Sequence, residues 1–254
     1  MNLFKRWLRQ YGLSLLLFLI LLISWESAVR VKWIPSFILP APTSICNALI
    51  ENRKLLFGLH LPATLQEVLV GFIISVILGS LLGTGMDMSS RLEKAFYPFI
   101  ILSQTIPLIA LSPIFIFWFG YSLAGKVAVV FLTAFFPIVV GSFDGLRKGA
   151  EGYRELLLTM GASRWQLLRK IQIPLALPSF FSGLKLSIVY CVIGATIGEW
   201  LGGSKGLGYF SRRMAANLQS DDMFAAVFLL SALGLGLFLI LVLLEKIIFM
   251  KRGS

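Results

Sequence analysis

Apolar segments long enough to cross a lipid bilayer recur along the whole chain, and this feature restricts the fold more than any other. Of the 254 residues, 57% are hydrophobic and only 14% are charged, and the mean hydropathy is +0.87. A soluble domain of this length could not bury so much apolar surface, whereas one helical span requires about 20 mostly apolar residues. Backbone groups in lipid must pair within their own segment, which favours helices. The sequence therefore predicts an all-α membrane protein.

Six transmembrane helices are predicted within a single domain that covers residues 1–254. They lie at about 11–31, 64–86, 97–119, 126–143, 179–201 and 224–244. The basic residues before the first apolar run could also begin a signal peptide, but no small-x-small cleavage pattern follows them, so we expect an uncleaved first span. Pro107 and Pro113 are expected to kink the third span.

The distribution of basic residues predicts the orientation of the spans. Four segments, the N-terminus, 87–96, 144–174 and the C-terminal tail, hold 14 Lys and Arg residues, and the segments on the opposite side hold 8. Since cytoplasmic loops carry the excess of Lys and Arg, both termini and the 144–174 segment should be cytoplasmic. The same rule accounts for the formal net charge of +11 without a nucleic-acid partner.

One polar segment, residues 151–174, interrupts the apolar blocks and carries its own folding signals. Leu156, Leu157 and Met160 recur at helical spacing. Gly161 is placed to end this helix as a left-handed residue just after the C-cap. We therefore expect a short helix followed by a tight turn.

A second short helix is predicted directly after that turn. Ser163 followed three residues later by Gln166 forms the capping-box pattern, in which side chain and backbone cap each other. An apolar face continues from there until Pro174 and Pro178, which are expected to stop the helix. The segment should thus form a helical hairpin with its basic residues in water.

Two interpretations of this hairpin are open on its composition: an ordinary basic cytoplasmic loop, or a docking element for a soluble partner. The spacing of four residues favours docking: Glu155, Gly161, Ile171 and Pro174. This spacing resembles the signature loop of ABC-importer permeases, in which Glu is followed by two small residues, then by Gly, and later by Ile-x-Leu-Pro. Here Leu156 and Leu157 stand where alanines are usual, and Ile173 stands where leucine is usual.

The resemblance implies which residues of the hairpin contact an ATPase. These candidate coupling residues are Glu155, Leu156, Leu157, Gly161, Ala162, Ser163, Arg164, Ile171 and Pro174. In the family, movement of the hairpin with the ATPase opens and closes the pore. An ordinary solvated charge is the alternative role for Glu155.

Further segments resemble the subfamily that imports nitrate, taurine, alkanesulfonates and related small molecules. They are 38–42 (ILPAP), 107–120 (PLIALSPIFIFWFG), 135–137 (FFP), 161–165 (GASRW) and 206–209 (GLGY). Two others, 104–107 (QTIP) and 198–200 (GEW), are similar to the branch that carries a pyrimidine precursor of thiamine. The chain departs from the family at Glu67, since Arg is common near this position.

The resemblance implies a type I ABC-importer permease fold with a cytoplasmic coupling hairpin at 151–174, in the bacterial cytoplasmic (inner) membrane. The implied assembly contains two permease copies, which we expect to be a homodimer, two ATP-binding-cassette ATPase subunits and an extracytoplasmic solute-binding protein. The permease would need no cofactor, because the partner ATPase uses the ATP. Its implied role is to form the pore for a small polar or anionic solute.

Polar residues within the predicted spans are candidates for the pore or for substrate contacts. They are Ser103, Gln104, Thr105, Ser187, Tyr190, Thr196 and Glu199. Interhelical hydrogen bonds are their alternative role. Glu199 and Glu67, near the outer ends of their spans, could be gating residues, binding-protein contacts or interfacial charges, and Lys185 could snorkel to the cytoplasmic surface.

Enzymatic activity is disfavoured by the residues that the chain lacks. The glycine-rich segment 202–208 contains Ser-Lys but does not match the phosphate-binding pattern G-x-x-x-x-G-K-[ST], and no other segment matches it. His60 is the single histidine and the two cysteines are far apart in sequence, so no catalytic or metal cluster is visible. The remaining alternatives are a secondary transporter or channel, which would work without ATP, and a membrane-embedded enzyme.

Overall fold

The computed structural model describes the backbone of residues 3–149 and 152–250, and the side chains of these residues except 3–11, 112 and 116. Every regular element in these ranges is helical. The long helices are α1 (Leu3–Arg30), α4 (Leu61–Met88), α7 (Leu123–Gly149), α10 (Ile173–Leu201) and α12 (Ser220–Met250). The all-α fold predicted from hydropathy is confirmed.

Shorter helices connect the long ones. They are α2 (Pro42–Glu51), α3 (Arg53–Leu55), α5 (Ser90–Thr105), α6 (Leu108–Phe119), α8 (Tyr153–Thr159), α9 (Arg164–Leu167) and α11 (Leu207–Ala216). Two π-helical segments, Leu56–His60 and Leu168–Gln172, lead into α4 and α10 without a break. The long helices extend beyond most of the predicted spans, because hydropathy locates the apolar centre of a helix and not its ends.

The third predicted span, at 97–119, is bent more sharply than the expected kink. Residues 97–119 belong to two helices, α5 and α6, which meet at an angle of 92°. Proline disfavours helical geometry in the residue before it, and Ile106 is extended, with φ −86° and ψ 121°. The described residues therefore contain five helices able to cross a membrane, or six if the bent pair counts as one span.

The predicted stop of the hairpin's second helix at Pro174 and Pro178 is also wrong. The helix runs from α9 through the π-helical segment into α10, which contains both prolines. Pro174 is the second residue of α10 and lies just after the π-helical segment, where the regular hydrogen-bond pattern of the α-helix is already interrupted. Pro178 removes one hydrogen bond of the helix, but tight packing of α10 against α7 maintains the helical path. A Cβ on Gly145 would lie only 3.0 Å from the Ala176 carbonyl oxygen.

The core consists of α4, α7 and α10, which pack closely because small residues face each other. A Cβ on Gly83 would lie 2.9 Å from the Val139 carbonyl oxygen, and one on Gly183 would lie 2.6 Å from the Pro137 carbonyl oxygen. Backbones therefore approach more closely than side chains would allow, as is typical of membrane helices. The residue Ile138 at the centre of α7 is completely buried.

Large apolar side chains cover the outside of this core. Among the exposed ones are Leu13 of α1, Phe99 of α5 and Phe117 of α6, which is 89% exposed. Such an extensive apolar surface is expected for a chain that contacts lipid or another membrane subunit.

Candidate functional site

The turn of the predicted hairpin has the geometry expected from its glycine. Gly161 has φ +86°, and its N–H donates to the Leu158 carbonyl at 3.1 Å. The Ala162 N–H donates to the Leu157 carbonyl at 3.0 Å. These two bonds form a Schellman motif, which satisfies carbonyl groups at the end of α8. The predicted left-handed glycine is confirmed.

The start of the second hairpin helix is also held as predicted. The Gln166 N–H donates to the Ser163 hydroxyl at 3.2 Å, and the Ser163 N–H donates to the Gln166 side-chain oxygen at 2.9 Å. The capping box is therefore complete. Helix end, turn and helix start are fixed by local hydrogen bonds, so the hairpin tip is a defined shape and not a loose loop.

Apolar side chains of the hairpin lie on its exposed surface. Leu156 is 57% exposed, Met160 is 74% exposed and Trp165 is 61% exposed. The helical periodicity of Leu156 and Met160 predicted a helix correctly, but this apolar face does not pack into the protein. Exposed apolar side chains clustered at a rigid turn are typical of a protein-binding surface.

The nine candidate coupling residues divide by exposure. Five are exposed: Glu155, Leu156, Gly161, Ser163 and Arg164; four are half-buried: Leu157, Ala162, Ile171 and Pro174. The exposed ones concentrate around the turn, whereas Ile171 and Pro174 lie where the hairpin joins the core. A partner would reach the turn first.

A buried carboxylate joins the hairpin to the core. The Asp87 side chain, in the last turn of α4, is 3% exposed. The Gln172 side-chain amide donates to Asp87 Oδ2 at 2.9 Å and to the Leu146 carbonyl at 3.3 Å. The Arg154 guanidinium lies 3.7 Å from Asp87 Oδ1. We call the Asp87, Arg154 and Gln172 side chains with the Leu146 carbonyl the hairpin junction.

The position of Asp87 makes these partners necessary. A carboxylate in the last turn of a helix faces the negative end of the helix dipole, which costs roughly 0.3–1 kcal/mol. Burial adds to this cost unless hydrogen bonds and an opposite charge compensate it. Arg154 and Gln172 supply that compensation from the two arms of the hairpin, so both arms are attached to α4 through one side chain.

A second polar cluster lies at the opposite end of the three core helices. The Lys126 ammonium of α7 lies 2.7 Å from Glu67 Oε1 of α4 and donates to the Lys205 carbonyl at 3.2 Å. The side chains of Lys126 and Glu67 are only 7% and 2% exposed. This ion pair therefore links α4, α7 and the turn that follows α10.

Glu199 of α10 completes this cluster. Its carboxylate accepts a hydrogen bond from the Thr64 hydroxyl at 2.6 Å and another from the Gly208 N–H at 2.5 Å. The Thr64 hydroxyl in turn accepts from the Leu207 N–H at 2.8 Å. We call Thr64, Glu67, Lys126 and Glu199, with their backbone partners at 205–209, the far-end network.

The glycine-rich turn is shaped to fit this network. The Gly206 N–H donates to His60 Nδ1 at 3.1 Å, and Gly206 has φ +121°. A Cβ at Gly206 would collide with the Glu199 carboxylate. Backbone N–H groups of this turn thus bind side chains of the same protein.

The structure places Glu67 and Glu199 differently from the interfacial charges that the sequence also allowed. Each residue is 1% exposed and paired within the protein. Lys185 does not stand alone either, because its ammonium lies 2.8 Å from Glu245 Oε2 of α12. Glu67 and Lys185 are therefore paired with opposite charges, and Glu199 is held by hydrogen bonds, as is usual for ionisable groups within membrane spans.

The other pore candidates do not converge on one site. Ser103 and Thr105 donate to carbonyl groups of their own helix, at 2.7 and 2.8 Å, and Gln104 beside them is exposed. On α10, Ser187 is buried and donates to the Ala134 carbonyl of α7 at 2.8 Å. Ser187 thus makes the interhelical hydrogen bond that was its alternative role.

Two candidates on α10 remain accessible on other faces of the helix. Thr196 lies beside a cavity of about 430 Å³ between α10 and α12, and Tyr190 is 37% exposed. Their role in a pore stays a prediction.

Asp87, Gln172 and Thr64 were missed as candidates, because single polar residues in apolar segments give no signal until their distant partners are known.

In the part of the chain that the structure describes, five or six apolar helices, three of which form a close-packed core, and an exposed hairpin between two of them define a multi-span membrane protein. The chain belongs to the family of the binding-protein-dependent transport system inner membrane component, whose family model matches residues 71–250. It is therefore a multi-pass permease subunit of a bacterial binding-protein-dependent ABC importer. The predicted resemblance is confirmed.

Known proteins similar to this chain have the same role. The chain is 46% identical to the formylaminopyrimidine transport permease protein ThiX of Halalkalibacterium halodurans over 92% of this chain and 93% of that protein. It is 34% identical to the riboflavin transport system permease protein RibX of Chloroflexus aurantiacus, over 93% and 88%. It is 28% identical to the putative aliphatic sulfonates transport permease protein SsuC of Bacillus subtilis, over 89% and 83%.

A solved structure supports the fold. The inward-facing MetNI methionine ABC transporter contains a chain that matches with a TM-score of 0.53 and 19% identity, over 71% of this chain and 91% of that chain. At this identity the match concerns the fold alone, and it agrees with the type I permease fold predicted from the sequence.

Proposed function

We propose that this permease forms a solute pore with a second copy of itself and that the hairpin docks an ATP-binding-cassette ATPase, which hydrolyses the ATP. The observation that carries the docking role is the hairpin tip, where a Schellman motif and a capping box hold exposed Leu156, Met160 and Trp165 in one shape. A rigid apolar surface loses little conformational entropy on binding, which favours a stable contact. The hairpin and both termini would lie in the cytoplasm.

The proposed assembly has two permease copies, two ATPase subunits and a solute-binding protein on the outer side. The surface of α5 and α6 is the proposed contact between copies, because Phe99 and Phe117 there are 70% and 89% exposed. The permease itself would use no cofactor.

We propose a formylaminopyrimidine-type solute as the substrate, in line with the thiamine-precursor resemblance. The support is the 46% identity over nearly the full length of both chains. A sulfonate-, nitrate- or taurine-like anion is the second candidate, supported by relatives of lower identity. Calorimetry of the binding protein encoded beside this chain, titrated with both solute classes, would distinguish them.

A pair of glycine variants tests the docking role. Gly161→Asp should leave the permease in the membrane and abolish co-purification of the ATPase, because a charged side chain would project from the docking surface. Gly152→Asp is the matched control, since Gly152 also has positive φ, +88°, and also has open space around its Cβ position. Both variants carry similar left-handed strain, about 1–2 kcal/mol. Normal ATPase recovery with Gly161→Asp would contradict the proposal.

Transport after ATP depletion separates this proposal from the alternative of a secondary transporter or channel. Uptake by cells that express the full system should stop when ATP is depleted while the membrane potential is maintained. Uptake that continues under these conditions would favour the alternative class.

A further inference from the structure

The hairpin is attached to the core in a way that would allow it to hinge. Its second arm enters α10 through the π-helical segment Leu168–Gln172, and its first arm, α8, begins four positions after the end of α7. π-type segments have irregular hydrogen bonding and are frequent at functional sites. A hairpin whose second arm joins the core through such a segment could move with a docked partner without moving the core helices.

The hairpin junction opposes that motion. Asp87 holds Gln172, at the end of the π-helical segment, and Arg154, in the first arm. Gln172 also holds the Leu146 carbonyl near the end of α7. Asp87 thus contacts the first arm of the hairpin through Arg154 and the core-side end of the π-helical segment through Gln172.

The central contact of the junction is a buried polar bond and not apolar packing. Asp87 and Gln172 are 9% and 3% exposed as whole residues, and their bond is 2.9 Å long. Because both residues are buried, this polar bond is shielded from water. A shielded hydrogen bond to a charged group is stronger than an exposed one.

We propose that Asp87 is the positioning residue that makes the hairpin and α4 move as one body, so that movement of the docked ATPase reaches the pore. This inference rests on the proposed function of the hairpin. Without Asp87, the ATPase would still dock and hydrolyse ATP, but its movement would be absorbed at the π-helical segment. Hydrolysis and pore opening would then be uncoupled.

The test uses the complete transporter, with permease, ATPase and binding protein, in proteoliposomes. The reporter is Gln66→Cys, at the far end of α4 and exposed, in a background where the exposed Cys46 is replaced by serine. The measured quantity is the ratio of its labelling rates, by a membrane-impermeant maleimide, with and without ATP and vanadate. Asp87→Asn should reduce this nucleotide response by roughly 2- to 30-fold, the range found for changes in coupling elements.

Three controls interpret the result. Asp144→Asn makes the same chemical change at the hairpin end of α7, but Asp144 pairs with Lys148 on the surface, so it should keep the full response. Asp87→Glu retains the charge and should restore part of the response. ATPase co-purification and basal hydrolysis should be normal in all variants, which a general structural defect would not produce.

Each outcome decides between the claims. If Asp87→Asn docks the ATPase and keeps the full nucleotide response, the positioning role is wrong. If the unsubstituted permease binds no ATPase, the proposed function fails first. If Asp87→Asn does not accumulate, Arg154→Gln takes its place, because Arg154 is 40% exposed and its loss should be tolerated in folding. A full response in Arg154→Gln would then overturn the inference, and a reduced one would support it.

Discussion

The two ends of α4 each bury one carboxylate, and the protein compensates them in different ways. At the far end, Glu67 forms a 2.7 Å ion pair with Lys126, and both side chains are at most 7% exposed. At the hairpin end, Asp87 meets a neutral amide at 2.9 Å and the partly exposed Arg154 at 3.7 Å. The first arrangement excludes water from both charges, and the second leaves one charge in contact with it.

Because of this difference, we expect the far-end network to contribute more to stability than the hairpin junction does. A buried ion pair cannot be broken without leaving a charge uncompensated, which costs about 3–5 kcal/mol. An ion pair with one solvated partner contributes much less, about 0–1 kcal/mol. We infer that the far-end network holds the core helices together, whereas the hairpin junction can transmit movement without being essential for folding.

The largest expected effect on stability comes from breaking the ion pair of the far-end network. Lys126→Met leaves the Glu67 charge buried and should lower the free energy of unfolding by about 3–5 kcal/mol. Lys185→Met is the matched control, because the Lys185–Glu245 pair is 2.8 Å long but each side chain is 22% exposed, and its loss should cost clearly less. Thermal unfolding in detergent measures both. Equal losses would remove the distinction between the far-end network and an ordinary ion pair.

A smaller effect on stability is expected from a substitution of Gly206, which packs against the far-end network. Gly206→Ala places a methyl group against the Glu199 carboxylate at φ +121°, and strain of this kind costs roughly 1–3 kcal/mol before any displacement of Glu199. Gly161→Ala has the milder strain of a left-handed helix end and open space around it, so its cost should be the smaller of the two. Comparison of their unfolding temperatures checks this order, and the reverse order would contradict it.

Loss of the capping box should destabilise only the hairpin tip. Ser163→Ala removes the capping box and should destabilise the start of α9 by about 1 kcal/mol. The expected result is faster proteolysis within the hairpin at an unchanged unfolding temperature of the core. Thr159→Ala is the control, since the Thr159 hydroxyl bonds only back to the Leu156 carbonyl of its own helix. A large drop in the unfolding temperature of the core for Ser163→Ala would show that the hairpin tip also stabilises the core.

The smallest effect is expected from a surface charge at the hairpin end. Asp144→Asn removes an i,i+4 pair with Lys148, whose side chain is 74% exposed, and should change stability by less than about 0.5 kcal/mol. The unfolding temperature should shift by less than about 2 °C. A larger shift would indicate that charge at the hairpin end contributes more to folding than an exposed ion pair normally does.

Local sequence signals predicted the hairpin tip well. A left-handed glycine and a Ser-x-x-Gln pattern depend only on residues within one turn of each other, so the Gly161 turn and the Ser163 cap could be read directly. The same local rules failed at Pro174, where packing of α10 against α7 continues a helix that proline alone would end. They also underestimated Pro107, which separates two helices where a kink was expected.

The buried polar contacts were beyond sequence reasoning, because their partners are far apart along the chain. Glu199 reaches Thr64 across 135 positions, and Asp87 reaches Gln172 across 85. Periodicity predicts which residues face inward but not which of them meet. Glu199 was therefore selected for its charge within a span, and its actual partners, a hydroxyl and a backbone turn, were not foreseen.

The central claim is that the hairpin lies in the cytoplasm and docks the ATPase, while the far-end network lies on the opposite side of the membrane. Labelling of one exposed thiol at each end tests this claim most directly. In a Cys46→Ser background, Met160→Cys places an exposed thiol on the hairpin, and Ser204→Cys places one on the far-end turn. The account predicts that a membrane-impermeant maleimide labels residue 160 only in inside-out vesicles, with protection when the ATPase is bound, and labels residue 204 only in right-side-out vesicles. Labelling of residue 160 from the outside would contradict it.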